Sequence, residues 1–312
     1  MSGRDWKAKF HDLLPDAVQL DEPLASKVSF RIGGPADAFV KVRNLNALGR
    51  VLRFAHEEGV EVLVLGTGAN VLIGDLGVRG IVVRLAGELA EIHVGRLSDG
   101  RGDIEIGAGA LNATVVALLL NLGFVGLEFL ATIPGTIGGA LVMNAGAHGH
   151  EMKDFVVSVE LVTSDGTRCV RDADTCGFGY RTSGFGAHDV IASCRLRMSA
   201  GDPDAARTAL QAMRARRKAT QPSMGFNAGS IFKNPPGDFA GRLIEAAGLK
   251  GRRQGGAEIS PQHANFIVNT GEATAIDVLL LAEEAQRAVK AQFGIALDWE
   301  VRRLGSFAAR AV

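Results

Sequence analysis

GLEFLATIPGTIGGALVMNAGAHG, Gly126 to Gly149, carries six glycines and one proline, yet it is apolar rather than hydrophilic. Ordinary surface loops are not built that way. Glycine permits positive φ and lets a backbone approach another group closely. With Thr132, Thr136 and Asn144 among its few polar side chains, the stretch suits a buried, flat ligand with polar edges. Its amides could also face phosphate oxygens, as in backbone anion nests. The plain alternative is a tight crossing of buried strands, where glycine only allows close packing. On this stretch alone both readings stand.

The whole chain narrows the choice. Its 312 residues allow two or three domains, and 47% apolar with 22% charged residues is ordinary globular composition. Formal net charge is zero, so no long-range field recruits nucleic acid or an anionic membrane, and an anionic ligand must be held by local groups. The three cysteines, Cys169, Cys176 and Cys194, are odd in number and lack CxxC spacing. This argues against a disulfide framework or a structural zinc and for a reducing compartment. The charged N-terminal stretch does not read as a signal peptide, and no apolar run reaches membrane-spanning length. A soluble cytoplasmic protein without an obligate protein partner is expected.

Outward from the opening stretch, periodicity predicts an α+β chain in three parts. Residues 1–20 suggest an amphipathic helix with Trp6, Phe10, Leu13 and Leu14 on one face. A Gly-Gly-Pro turn leads into a strand ending near Val42. A helix then runs from Leu45 to Glu58, closed by Gly59. Strands at Glu61–Leu65 and Ile81–Leu85 complete a β-α-β-β unit, 1–85. A second part, 86–199, alternates strands (Glu91–Val94, Asp103–Ala108, Phe155–Val162, Val190–Arg197) with a helix from Asn112, its expected cap, to Leu122. The third part, 200–312, opens with Asp202 as N-cap and Pro203 at the first helical position. Helices follow near Asp238–Ala247 and Thr274–Phe293, the latter with a T-x-x-D capping box. A strand at Ile295–Leu304 closes the chain. The basic run Arg214 to Lys218 suits a helix C-terminus better than nucleic acid.

Five strings place polar groups where packing does not require them. Gly66-Thr67-Gly68-Ala69-Asn70 follows a strand, but Val71 stands where a dinucleotide fingerprint needs its third glycine, and no long helix follows. It is either a pyrophosphate loop using amides and Thr67 or a plain tight turn. Tyr180, the only tyrosine, precedes Arg181, a cation suited to planar carboxylates and phosphates or to a structural ion pair. Ser230, in GSIFKNP, lacks the GxSxG elbow of acyl-transfer hydrolases, so it is a hydrogen-bond or proton donor, or a polar turn. Lys233 and Asn234 could face a phosphate. His263 enters a strand, a placement that is more often structural. Alternation over Leu297 to Arg302 turns Glu300 away from the apolar face, toward solvent or a cleft.

Taken together, SFRIGGPAD, LGTGANVLIGD, IPGTIGGALVMNAGAHG, FGYRTSGF, GSIFKNP, GLKGRRQGGAEIS, HANFIVN and EVRRLG resemble the UDP-N-acetylenolpyruvoylglucosamine reductase family, in order from Ser29 to Gly305. The resemblance implies a two-part FAD-binding region of the vanillyl-alcohol-oxidase type and a C-terminal α+β substrate domain. It implies non-covalent FAD, NADPH as co-substrate and a UDP-sugar substrate. Arg181, Ser230 and Glu300 match the family's catalytic residues. Gly66, Thr67, Gly68, Ala69 and Asn70, with Pro134, Gly135, Thr136, Gly138, Gly139 and Asn144, match its flavin-binding segments. Tyr180, Lys233, Asn234 and His263 match substrate contacts. Two departures stand out. His148 replaces a tyrosine common in relatives, and the short connection after Arg181 excludes the inserted loop whose tyrosine clamps the substrate diphosphate in one branch.

The implied reaction delivers hydride to the β-carbon of an enolpyruvyl ether and drives charge into its carboxylate. Arg181 would stabilise that charge, Glu300 would assist only if protonated, and Ser230 would protonate the α-carbon. Two alternatives remain: a hydroxy-acid or alcohol oxidoreductase of the same FAD fold, and a non-catalytic UDP-sugar-binding protein.

Overall fold

A computed structural model describes residues 5–98, 100–186, 188–222 and 226–308. In chain order the elements are α1 (Asp5–Leu13), β1 (Val18–Pro23), β2 (Pro35–Val42), α2 (Leu45–Glu58), β3 (Val62–Val64), β4 (Val71–Ile73), β5 (Val78–Leu85), β6 (Ile92–Ser98), β7 (Arg101–Gly107), α3 (Asn112–Asn121), β8 (Phe124–Val125), α4 (Ile137–Val142), β9 (Gly146–Ala147), β10 (His150–Glu151), β11 (Val156–Val162), β12 (Arg168–Asp172), β13 (Val190–Ala200), α5 (Pro203–Thr220), α6 (Ala240–Ala246), β14 (Arg253–Gln254), β15 (Ala257–Ile259), β16 (Ile267–Asn269), α7 (Ala275–Phe293) and β17 (Arg302–Leu304). They form two compact units, one of residues 1–20, 38–66 and 80–215, the other of 21–37, 67–79 and 216–312. No helix among the described residues is long and apolar enough to cross a membrane.

The first unit has one core. In α2, Asn44 accepts from the Ala47 amide at 2.8 Å, and Gly59 ends the helix at φ +66°. Its buried stripe of Leu48, Val51, Leu52 and Ala55 joins Ala38, Val40, Ile81 and Val83 of the sheet β1-β2-β5-β3. A larger antiparallel sheet runs β12-β11-β13-β7-β6. Its buried Val159, Leu161, Cys194, Leu196, Ile104 and Ile106 join Val115, Val116, Leu119 and Leu120 of α3.

The second unit has its own core. There α6 and α7 accompany the three-stranded sheet β14-β15-β16. Val278, Leu281, Ala282, Ala285 and Val289 form the buried stripe of α7. The expected T-x-x-D box is present, with Asp277 N donating to Thr274 Oγ1 and Thr274 N to Asp277 Oδ2. In the first unit, Asp202 accepts from the amides of Asp204 and Ala205 at the start of α5.

Four expectations need correction. The N-terminal helix stops at Leu13, and the chain becomes strand β1 at Val18. The expected closing strand from Ile295 is regular only over Arg302–Leu304, because its parallel partner β4 is three residues long. Upstream, Trp299 makes a single bridge to Phe232. The helix expected from Asp238 begins at Ala240, whose amide donates to Asn234 Oδ1 at 3.1 Å. Asn112 does not cap α3: Leu111 holds that position without a side-chain bond, and Asn112 is the first helical residue.

Candidate active site

In the first unit, the backbone at Gly66 passes so close to Thr136 that a Cβ at Gly66 would sit 2.7 Å from Thr136 Oγ1. Only glycine fits there. Thr136 caps the short helix α4, accepting from Gly139 N at 3.4 Å. The amides of Ile137 and Gly138 are committed inward, to Ala110 O and Ala108 O, at 2.9 and 2.8 Å. An anion beside this loop must therefore be gripped by other groups. Pro134 and Gly139 are exposed, and Gly135 is half-buried.

Asn112 braces the same loop from beneath. Its backbone N–H donates to Gly135 O at 3.1 Å and its Nδ2 to Ile133 O at 2.9 Å, so it holds the chain on both sides of Pro134. The residue is 2% exposed, yet its Oδ1 has no hydrogen-bond partner among the described residues. An unpaired buried acceptor costs about 1–3 kcal/mol. A ligand donor or a water would remove that cost.

Arg181 sits in a tight turn where Gly179 and Thr182 exchange backbone hydrogen bonds at 3.1 and 3.3 Å. Its φ of +54° is in the left-handed region, unusual for a residue with a side chain. Its Nη2 donates to Gly146 O at 2.8 Å, and its guanidinium lies over the Tyr180 ring, 5.1 Å from the centroid. Tyr180 is 49% exposed. Asn144 is fully buried, with both amide hydrogens and its Oδ1 bonded to protein groups, so any contact it makes with a ligand is through its backbone. His148 is exposed.

The second unit assembles another group. Gly68 takes φ +68°, and its carbonyl accepts from Ser29 N at 3.1 Å. Asn70 Nδ2 donates to Glu300 O at 3.2 Å, and Asn70 O accepts from Arg302 N at 3.1 Å. Glu300 N in turn donates to Ile231 O at 2.8 Å, and Lys233 N to Asp298 O at 2.8 Å. The backbone thus brings Asn70, Ser230, Lys233 and Glu300 together, with Ser230, Lys233 and Glu300 half-buried. Thr67 Oγ1 is buried without a partner among the described residues, a second unsatisfied polar atom.

Asn265, which lies in the HANFIVN string but was given no role there, fixes this arrangement. Its Oδ1 accepts from Phe232 N at 3.0 Å, its Nδ2 donates to Phe232 O at 2.8 Å, and its carbonyl accepts from Ile231 N at 2.8 Å. A buried asparagine after an expected turn was the available signal. Asn234 is exposed and bonds the start of α6. His263 packs edge-on against Phe266 at 4.9 Å and accepts from Asn265 N through Nδ1. Burial pushes its imidazole below the ordinary value. Among the described residues no cluster of three or more His, Cys, Asp or Glu side chains could hold a metal.

Comparison with known proteins identifies both regions. Residues 36–170 match the family model of an FAD binding domain, and 221–304 match that of the UDP-N-acetylenolpyruvoylglucosamine reductase C-terminal domain. A curated UDP-N-acetylenolpyruvoylglucosamine reductase from Anaeromyxobacter sp. (strain K) is 48% identical over 92% of this chain and 85% of its own. The protein of that name from Clostridioides difficile (strain 630) is 40% identical over 94% of this chain and 95% of its own. A crystal structure of UDP-N-acetylenolpyruvylglucosamine reductase from Thermus caldophilus superposes with a TM-score of 0.77 at 36% identity, covering 92% of this chain and 98% of the other.

Proposed function

The chain belongs to the UDP-N-acetylenolpyruvoylglucosamine reductase family of FAD-dependent oxidoreductases, and on that premise we propose that it reduces the enolpyruvyl ether of UDP-N-acetylglucosamine-enolpyruvate to UDP-N-acetylmuramate, with NADPH as reductant, in the cytoplasm. In this reading residues 1–85 and 86–199 are the two parts of the FAD region and 200–312 the substrate domain. The residues present fit FAD: Thr67 Oγ1, able to donate, and Asn112 Oδ1, an acceptor, are each buried without a partner among the described residues. Gly66 to Asn70 and Pro134 to Gly139 would hold it. When bound, FAD supplies the reducing equivalents.

The chain's own residues handle charge and proton. Reduction at the β-carbon pushes negative charge into the substrate carboxylate, which a fixed cation stabilises best. Arg181 is assigned that role. Glu300, in its protonated form, would share the same charge by donating a hydrogen bond. Ser230 would deliver the proton to the α-carbon, a weak acid made adequate by the basicity of the carbanion. Lys233, Asn234, His263 and Tyr180 are assigned to the UDP-sugar.

The observation that carries this reading is the backbone coupling of Ser230 and Glu300 through Ile231, whose carbonyl accepts the Glu300 amide. Two residues distant in sequence are thereby held at fixed spacing, as joint action on a carbon and its adjoining carboxylate requires. Ser230→Ala tests it. Flavin reduction by NADPH should proceed at the wild-type rate, while reoxidation by the enolpyruvyl substrate slows on the order of 10²-fold or more. Equal slowing of both half-reactions would remove Ser230 as proton donor.

A further inference from the structure

The Arg181 turn is tied by three hydrogen bonds to the end of α4 and the segment that follows it. Arg181 Nη2 donates to Gly146 O at 2.8 Å, Ser183 Oγ to Val142 O at 2.7 Å, and Asn144 Nδ2 to Gly179 O at 3.0 Å. The last of these reaches the residue whose bonds with Thr182 close the turn. Asn144 is 0% exposed, and its other contacts anchor it from behind: Nδ2 also donates to Glu151 Oε2 at 3.0 Å, and Oδ1 accepts from Lys153 N at 3.0 Å. A side-chain amide has two N–H donors and a carbonyl acceptor. All are used, and every partner is protein.

The backbone shows the same division of labour. Asn144 stands at φ +39° and Arg181 at φ +54°. A non-glycine residue in the left-handed region is held there by its surroundings, at a cost that persists only when the neighbouring structure enforces it. Asparagine is among the side chains that tolerate this conformation. Arginine is not, and the tethers to residues 142–146 help to hold its turn.

We propose that Asn144 is a positioning residue for Arg181: its buried amide fixes the Gly179–Thr182 turn and so aims the guanidinium at the substrate carboxylate. The inference rests on the catalytic role assigned to Arg181 above. It assigns Asn144 to the oxidation of reduced enzyme by substrate rather than to the grip on the cofactor.

Asn144→Gly is the informative variant, because glycine keeps the positive φ and removes only the side chain. It should retain the FAD dissociation constant and the rate of flavin reduction by NADPH. Reoxidation by the enolpyruvyl substrate should slow on the order of 10²-fold, the size expected for misplacing a group by about 1 Å. A merely structural role would lower FAD affinity and both half-reactions together, and that pattern overturns the proposal. The cycle is completed with Arg181→Met and the double variant. If Asn144 acts through Arg181, its removal changes nothing once the guanidinium is gone, whereas multiplicative losses show independent action and refute it. Should Arg181→Met alone leave reoxidation at the wild-type rate, the assignment of Arg181 itself fails, a different result from either of these. If Asn144→Gly does not fold, Asn144→Asp, which tolerates the left-handed conformation and lacks the N–H donated to Gly179 O, goes through the same cycle and is judged by the same criteria.

Discussion

His148 and Gly149 take φ of +55° and +88° at the tip of the β9–β10 hairpin, where His150 pairs with Ala147. Two consecutive positive-φ residues are what a type I′ hairpin turn demands. The exposed side chain of His148 is therefore incidental to its backbone, and a tyrosine at the same place would meet the same constraint. His263 is the opposite case, a histidine whose ring matters. A Cβ on Gly241 would lie 2.9 Å from its Cε1, and burial holds its pKa down. The unfolded chain then takes up the proton first, near the ordinary value of about 6.5. Stability from this group is complete above that pH and declines as the pH drops from there toward the depressed folded value. Between about pH 7.5 and about pH 5.5, the thermal midpoint of the wild type should fall further than that of His263→Gln. Equal falls would mean that the buried imidazole does not control acid sensitivity.

Helix α7 shows what a sequence can and cannot disclose about an element. Thr274 and Asp277 announced its start and formed the expected reciprocal bonds. Asp75 did not, although its Oδ1 accepts from Ala275 N at 2.8 Å and its Oδ2 from Ile276 N at 3.2 Å. No local pattern reports a cap supplied from 200 residues away. Asp75→Ala should destabilise the second unit by about 1–2 kcal/mol, in line with loss of a helix cap. Amide exchange at Ala275 and Ile276 should accelerate with it, and unchanged exchange would exclude Asp75 as a cap. The same loop explains several motif glycines. Gly34 N donates to Gly74 O, Gly74 N to Leu304 O, and Ser306 N to Gly77 O, at 3.0, 2.9 and 2.9 Å. A Cβ on Gly77 would fall 1.9 Å from Pro35 O. SFRIGGPAD, LIGD and RRLG thus meet in a crossing of backbones, which gives their glycines a packing reason. Strand β4 escaped the sequence reading for a related reason, since three residues show no period and their partner Arg302–Leu304 is remote.

For the molecule as a whole, long periodic elements and capped helices were legible, and so was the family. Side-chain roles were less so. Asn112 looked like a helix cap and proved a brace for the Pro134 loop, and Asn144 looked like a ligand contact and proved to be bonded throughout to protein. Both depend on where a distant carbonyl lies, which residue type alone does not specify. Motif glycines, by contrast, were legible because a missing Cβ is itself the signal. The two units carry separate cores, with the FAD-domain match at 36–170 and the reductase match at 221–304. The most direct test reduces the FAD-loaded protein without oxygen and mixes it with UDP-N-acetylglucosamine-enolpyruvate in deuterated water, following the visible flavin absorbance and recovering the product. Rapid return of the oxidised flavin spectrum and UDP-N-acetylmuramate carrying deuterium at the α-carbon are expected. A flavin that stays reduced beside unchanged substrate would contradict the proposed function.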